Sequence, residues 1–255
     1  MKWTLGGLAP YGMIFAGALL IPSMGMAQEP PPNPIFDLAN TPQHSGVLSS
    51  YVNFTTSFTA DNTSEFVSFA FRETPAYFAF DDASVAKSGG TTNLLADAGF
   101  ESASLGQNCN HDNSLGCPAG WGAWIQSVDV SAIGAVETTS DSSCGPNVAH
   151  GGTNMWCDGS VQGYDAVYQQ LAGLTVGSTY DINFWLGDNS GDVPSRVVGE
   201  GQVDMLVYAG DALPVGSIPI GPPPNSSVPE PSSYGLLGAG LVGLLGFAKR
   251  RFQRG

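Results

Sequence analysis

Positive charge is what this chain has least of. Only 8 of 255 residues are Lys or Arg, against 22 Asp or Glu, and charged residues make up 12% of the whole. Five of the eight bases (Lys2, Lys249, Arg250, Arg251 and Arg254) sit at the extreme ends. From Gln28 to Ser227 there are 21 acids and 3 bases, a net charge of −18. Such a body repels polyanions and stays soluble, and it has too few cations to neutralise a phosphate backbone, which excludes nucleic acid as a partner. Histidine is scarce too: His44, His111 and His150 are all there are. There is no Gly-x-Ser-x-Gly elbow, no His-Glu-x-x-His helix and no Gly-rich phosphate loop. Carboxylates are plentiful enough for a glycosidase pair, but no constellation of nucleophile, base and orienting group stands out, so the expectation is a protein that is not an enzyme.

A long uninterrupted apolar run is also missing. Met13–Ile21 follows Lys2 and precedes Pro22 and the small residues Gly25-Met26-Ala27. This charged, apolar, small-residue order is that of a secretory signal peptide cleaved between Ala27 and Gln28, and the run is short for a membrane span. Residues 28–45, which include Glu29-Pro30-Pro31-Pro32-Asn33-Pro34, read as a stiff polyproline spacer. A second Pro-rich linker occupies residues 221–231, and residues 232–255 hold the uncharged stretch Tyr234–Ala248 followed by Lys249-Arg250-Arg251. Fifteen residues give a helix of about 22 Å, short of a roughly 30 Å hydrocarbon core. Glycines at 235, 238, 240, 243 and 246 would give it a thin face suited to close helix contact, and the basic cluster would stay cytoplasmic.

Val228-Pro229-Glu230-Pro231, a short Gly/Leu-rich run and a terminal Arg-rich cluster, in that order, resemble the PEP-CTERM sorting signal. The resemblance implies export by a Gram-negative bacterium to its cell envelope, surface or extracellular matrix, with transient anchoring through the C-terminal transmembrane helix. It also implies processing by an exosortase, a membrane-embedded transpeptidase-like enzyme for which Pro229, Glu230 and Pro231 are the recognition motif.

Between residues 46 and 220 no sustained 3.6-residue apolar period occurs; alternation replaces it. Tyr180, Ile182, Phe184 and Leu186 share one face of a strand and Asp181, Asn183 and Trp185 the other. Val67, Phe69 and Phe71, and then Val203, Met205 and Val207, alternate in the same way, and Gly173–Ser178 is turn chemistry between two strands. The fold class is all-β, a jelly-roll β-sandwich. Asn93–Glu101 with Gly120-Trp121, and Tyr168–Leu174 through Trp185, resemble the first strand and central hairpin of galactose-binding-like carbohydrate-binding modules. The last strands of that family are absent after Tyr208, while candidates occur before residue 93, at Phe54–Ala60, Glu65–Arg72 and Ala76–Asp82. One circularly permuted domain over residues 46–220 accounts for this; two domains, the first of about 50 residues, is the alternative, and one so small struggles to bury a core.

Cys109, Cys117, Cys144 and Cys157 lie in the exported body, where disulfides form. Of three possible pairings, the neighbour pairing would staple two loops; a zinc site with His111 and His150, or free thiols, are the alternatives. For calcium, Asp188-Asn189-Ser190-Gly191-Asp192 offers oxygen ligands around a glycine, with Asp188 and Asp192 at its ends. The carbohydrate-binding-module resemblance further implies a structural calcium at Glu101 with Asp81 or Asp82. Sugar stacks on exposed indoles, with amides and carboxylates fixing its hydroxyls. Trp185 beside Asp181 and Asn183 is the best platform, and Trp156, in an expected loop, the second. The functional expectation is non-catalytic binding of extracellular polysaccharide; a structural or adhesive matrix protein and a glycoside hydrolase are the alternatives.

Overall fold

The computed structural model describes residues 28–42, 48–73, 76–109, 116–126, 134–138, 144–145, 148–161, 163–188 and 203–220. The expected signal peptide and C-terminal helix lie outside these residues. Strands β1 (Phe36–Asp37), β2 (Val52–Thr59), β3 (Ser64–Arg72), β4 (Phe78–Lys87), β5 (Gly122–Ile125), β6 (Ala135–Thr138), β7 (Asn154–Asp158), β8 (Asp165–Ala172), β9 (Thr179–Asp188), β10 (Asp204–Gly210) and β11 (Ile218–Ile220) build two antiparallel sheets. Sheet A has the order β1-β10-β3-β8-β5-β11 and sheet B the order β2-β9-β4-β7-β6. Leu38–Asn40 is a single 3₁₀ turn. Among the described residues no helix is long and apolar enough to cross a membrane.

Alternation places the core between the sheets. Val67, Phe69 and Phe71 of β3 and Val203, Met205 and Val207 around β10 face Phe78 and Phe80 of β4 and Ile182, Phe184 and Leu186 of β9, all fully buried. Phe69 contacts Phe80 at 4.8 Å and Phe184 at 5.7 Å between ring centroids, so aromatic packing couples the sheets. Strands from residues 52–87 insert between strands from residues 122–210 in both sheets: β3 pairs with β8 and β10, and β4 with β7 and β9. The turn expected at Gly173–Ser178 connects β8 to β9, with Gly173 and Gly177 at positive φ.

Residues 93–101, expected as a first strand, form no strand. Asp97 and Phe100 adopt φ of 42° and 58°, which breaks extension. The segment plugs one end of the sandwich instead. Asn93 Oδ1 accepts the Val85 amide at 2.9 Å and its Nδ2 donates to the Ala83 carbonyl at 3.0 Å, while Gln169 of β8 bonds both main-chain groups of Ala96. The Phe100 ring lies between Trp121 at 5.1 Å and Trp156 at 5.7 Å.

Sheet A is apolar on its outer face as well. Ala70, Trp124, Tyr164, Ala166, Tyr168, Leu206 and Tyr208 form a second buried cluster there. Residues 28–35, part of the expected stiff spacer, run along this face as a strap. Arg72 donates to the Gln28 carbonyl at 3.0 Å, Gln126 to that of Glu29, and Tyr208 Oη to that of Pro31 at 2.7 Å. The Ile35 amide then bonds Val207, and β1 pairs with β10. Polyproline backbone has no internal hydrogen bonds, so its carbonyls are free to accept these donors.

At the other end of the sheets, β7 and β8 bring two aspartates together. Asp158 and Asp165 are buried beside each other, and Asp158 Oδ2 accepts Trp156 Nε1–H at 2.8 Å. Gly134 closes over them: a Cβ there would lie 2.4 Å from Asp158 Oδ2 and Trp156 Nε1. Desolvation pushes Asp158 up to about 6 and Asp165 well above the usual carboxylate range, so burial favours a proton on the pair.

The folded chain binds this proton and the unfolded chain releases it above about pH 4. The stabilisation is therefore full below that pH and is lost as pH rises through about 6 and beyond. The urea midpoint should fall from pH 5 to pH 8. Asp165→Asn, which mimics the protonated partner, should flatten that fall and raise the midpoint at pH 8; equal slopes in wild type and variant would contradict a shared proton.

Candidate functional site

Over β2 and β9 the outer face of sheet B is polar and open, whereas over β4 and β7 Ala79, Met155 and Cys157 are buried with Cys144. Register aligns Asn53, Trp185 and Asp81 in one row, Thr55, Asn183 and Ser84 in the next, and Ser57, Asp181 and Ala86 in a third. Asn53, Thr55 and Ser57 are exposed, and Asp181, Asn183, Trp185 and Ser84 are half-buried. The alternation that buries Ile182 and Phe184 turns Asp181, Asn183 and Trp185 outward together.

A β-bulge between Asp81 and Ser84 aims two carboxylates at the end of this strip. Asp82 has φ 46° and is exposed, whereas Asp81 is fully buried. Asp81 Oδ2 accepts the amides of His150 at 2.8 Å and Gly151 at 3.1 Å, and its Oδ1 accepts that of Asp82 at 2.7 Å. Burial, followed by repulsion from Asp82, pushes Asp81 up to about 7 against the pull of these amides. Glu101 Oε1 accepts the amides of Thr153 and Asn154, both at 2.9 Å. Gly152 sits at φ +61°, where a Cβ would lie 2.3 Å from the Glu101 carboxyl, so the loop can reach this carboxylate only as glycine.

His150 completes the site. Its Nδ1 is 2.7 Å from Asp82 Oδ2, and its ring stacks on the Trp185 indole at 3.8 Å and 16°, with the Tyr51 ring edge-on at 5.4 Å. Burial, followed by repulsion of the phenolate by Asp81 and Asp82, raises the Tyr51 phenol above the usual tyrosine range. Sequence reasoning singled out His150 only as a candidate zinc ligand. Its partners are 68 residues before and 35 after it, and only the register of β4 with β9 brings them together.

The remaining candidates separate. Asp81, Asp82 and Glu101 do meet around residues 150–154, but Asp81 and Glu101 are engaged by main-chain amides there. A cation would face N–H donors, and among the described residues no group of three or more His, Cys, Asp or Glu side chains is arranged to hold one. Asp188 ends β9 and is 1% exposed, not part of an open loop; Asp192 lies outside the described residues. Trp156, expected in a loop, is in β7 and 1% exposed, so its indole offers no face to solvent. The cysteines are paired Cys109–Cys117 and Cys144–Cys157, and the second bond ties the loop that carries His150 to β7. Ala27 and the Val228–Pro231 motif lie outside the described residues, and Gln28 is the strap residue bonded by Arg72.

Residues 227–251 match the family model of the PEP-CTERM protein-sorting motif. The match supports an exported protein of the Gram-negative cell envelope, processed by an exosortase. No curated protein and no solved structure matches the chain.

Asp81→Ala would leave three main-chain amides without their acceptor. Hydrogen bonds to charged groups contribute about 1.5–3 kcal/mol each before the reduced charge of Asp81 is considered, so a loss of about 2–4 kcal/mol is expected by urea unfolding. Hydrogen exchange should rise at the amides of residues 150, 151 and 82. Chelator should change neither quantity in the wild type.

Proposed function

We propose that this protein is an exported, non-catalytic binding module that holds neutral extracellular polysaccharide on the outer face of sheet B. The observation that carries this reading is the strip of short polar side chains, Asn53, Thr55, Ser57, Asn183 and Asp181, running from the half-buried Trp185. Amide, hydroxyl and carboxylate groups on a rigid sheet match the hydroxyls of a sugar chain, and the Trp185–His150 stack bounds the strip with aromatic surface. A body of net −18 favours neutral over anionic polymers. The sorting motif supports delivery to the envelope, where such polymers occur. Calcium has no part in this reading.

A structural or adhesive matrix role without a specific ligand is the second reading. It is favoured by the burial of Trp121, Trp124 and Trp156, and by His150 covering one face of Trp185, which together leave no coplanar exposed indoles among the described residues.

Binding of the intact chain to an array of neutral and anionic polysaccharides, with and without chelator, tests the proposal. Selective, chelator-insensitive retention of a neutral polymer is expected, reduced tenfold or more by Trp185→Ala and by Asn183→Ala. No selective binding, or equal binding by both variants, would leave the structural role.

A further inference from the structure

The strap sequence occurs twice. Pro30-Pro31-Pro32-Asn33 lies across sheet A, and Pro222-Pro223-Pro224-Asn225 begins two residues after β11, at the opposite edge of the same sheet. We propose that the trough on the outer face of sheet A recognises this Pro-Pro-Pro-Asn sequence, and that its second occupant is the Pro222–Asn225 segment of another copy of the chain.

The trough is built for such a segment. Its floor is small (Ser68, Ala70 and Ala166), and register places Leu206 and Tyr208 on one side and Trp124 and Tyr168 on the other. The donors along it, Arg72, Gln126 and Tyr208 Oη, all reach main-chain carbonyls of residues 28, 29 and 31. They therefore read a backbone shape, and side chains matter only through the shape they impose. Three prolines set an extended backbone with free carbonyls. Asn33 then ends the run at φ 63°, a left-handed conformation that Asn enters more readily than other side chains bearing a Cβ. Proline-richness alone would not require asparagine in the fourth place; the shape does, and both copies have it.

The second copy cannot take this register within its own molecule. Ile220 would have to stand where Gln28 does, beside Arg72 of β3, yet it pairs with Ala123 at the far edge of the sheet. Three strand spacings, about 14 Å, separate β11 from β3. In another molecule β11 can stay paired, because among the described residues no strand pairs with its outer edge. The tethered strap is the competitor, since a short tether gives an effective concentration on the order of millimolar. Linking copies therefore requires crowding or a weakened strap.

The test uses the full chain in detergent. Asn33→Val puts a β-branched residue at positive φ and weakens the strap; Pro30, Pro31 and Pro32→Ala, which removes the pre-set extension without strain, is the second background. Either should associate in sedimentation velocity at concentrations where wild type is monomeric, and should bind a labelled Ile220–Ser227 peptide at least tenfold more tightly than wild type does. Changing Asn225 to Val in the peptide should cost tenfold or more, and an unlabelled Gln28–Ile35 peptide should displace it. Folded variants that neither associate nor bind the peptide would overturn the proposal. So would equal binding of the Asn225→Val peptide, or association that persists when Pro222–Asn225 is replaced in the chain.

Discussion

Sheet A is apolar on both faces, and much of the structure follows from that. Its inner face supplies half the core through Phe69, Phe71, Met205 and Val207. Its outer face carries Trp124, Tyr164, Leu206 and Tyr208, which water would not tolerate as one contiguous patch. Something must cover them, and the chain uses its own residues 28–35. The strap is held by donors that sit in the sheet among the aromatic residues, so the polar and apolar needs of this face are met by one segment.

Sheet B has the opposite character. Strict alternation in β2 and β9 buries Phe54, Phe58, Ile182 and Phe184 and leaves a polar outer surface. One end of that surface is organised by the bulge in β4, which sends Asp81 and Asp82 into the loop from Cys144 to Asn154. Carboxylates of this kind would serve metal ions in another setting. Here Asp81 and Glu101 are anchors for backbone amides, and they hold His150 over Trp185. The protein thus has one face closed by the strap and, over β2 and β9, one that is open.

The strands were legible because alternation is a local signal. Ala166–Leu171, Thr179–Leu186 and the turn between them are visible in the residues themselves, as is the outward placement of Asp181, Asn183 and Trp185. What alternation cannot show is which face of a two-sided apolar strand is the outer one. Leu206 and Tyr208 alternate with Met205 and Val207, and nothing nearby in the chain says that a polyproline run from residue 28 covers them. Residues 93–101 misled for a related reason. Their Asn, Leu and Phe suit a strand, but left-handed backbone at Asp97 and Phe100 and side-chain bridges from Asn93 make them a plug. Trp156 was placed in a loop because Cys157 and Asp158 follow it, whereas the buried Asp158–Asp165 pair draws that stretch into the core. His150 went unnoticed beyond its chance as a zinc ligand, since its partners are long-range.

Hydroxyl-radical footprinting of the intact chain distinguishes the strap-covered face of sheet A from the open strip on β2 and β9. Tyr208 and Trp124 should be protected from oxidation, while Trp185 and His150 are modified under the same dose. Modification of Tyr208 and Trp124 as rapid as that of Trp185 would contradict the account, because the strap would then not be closing sheet A.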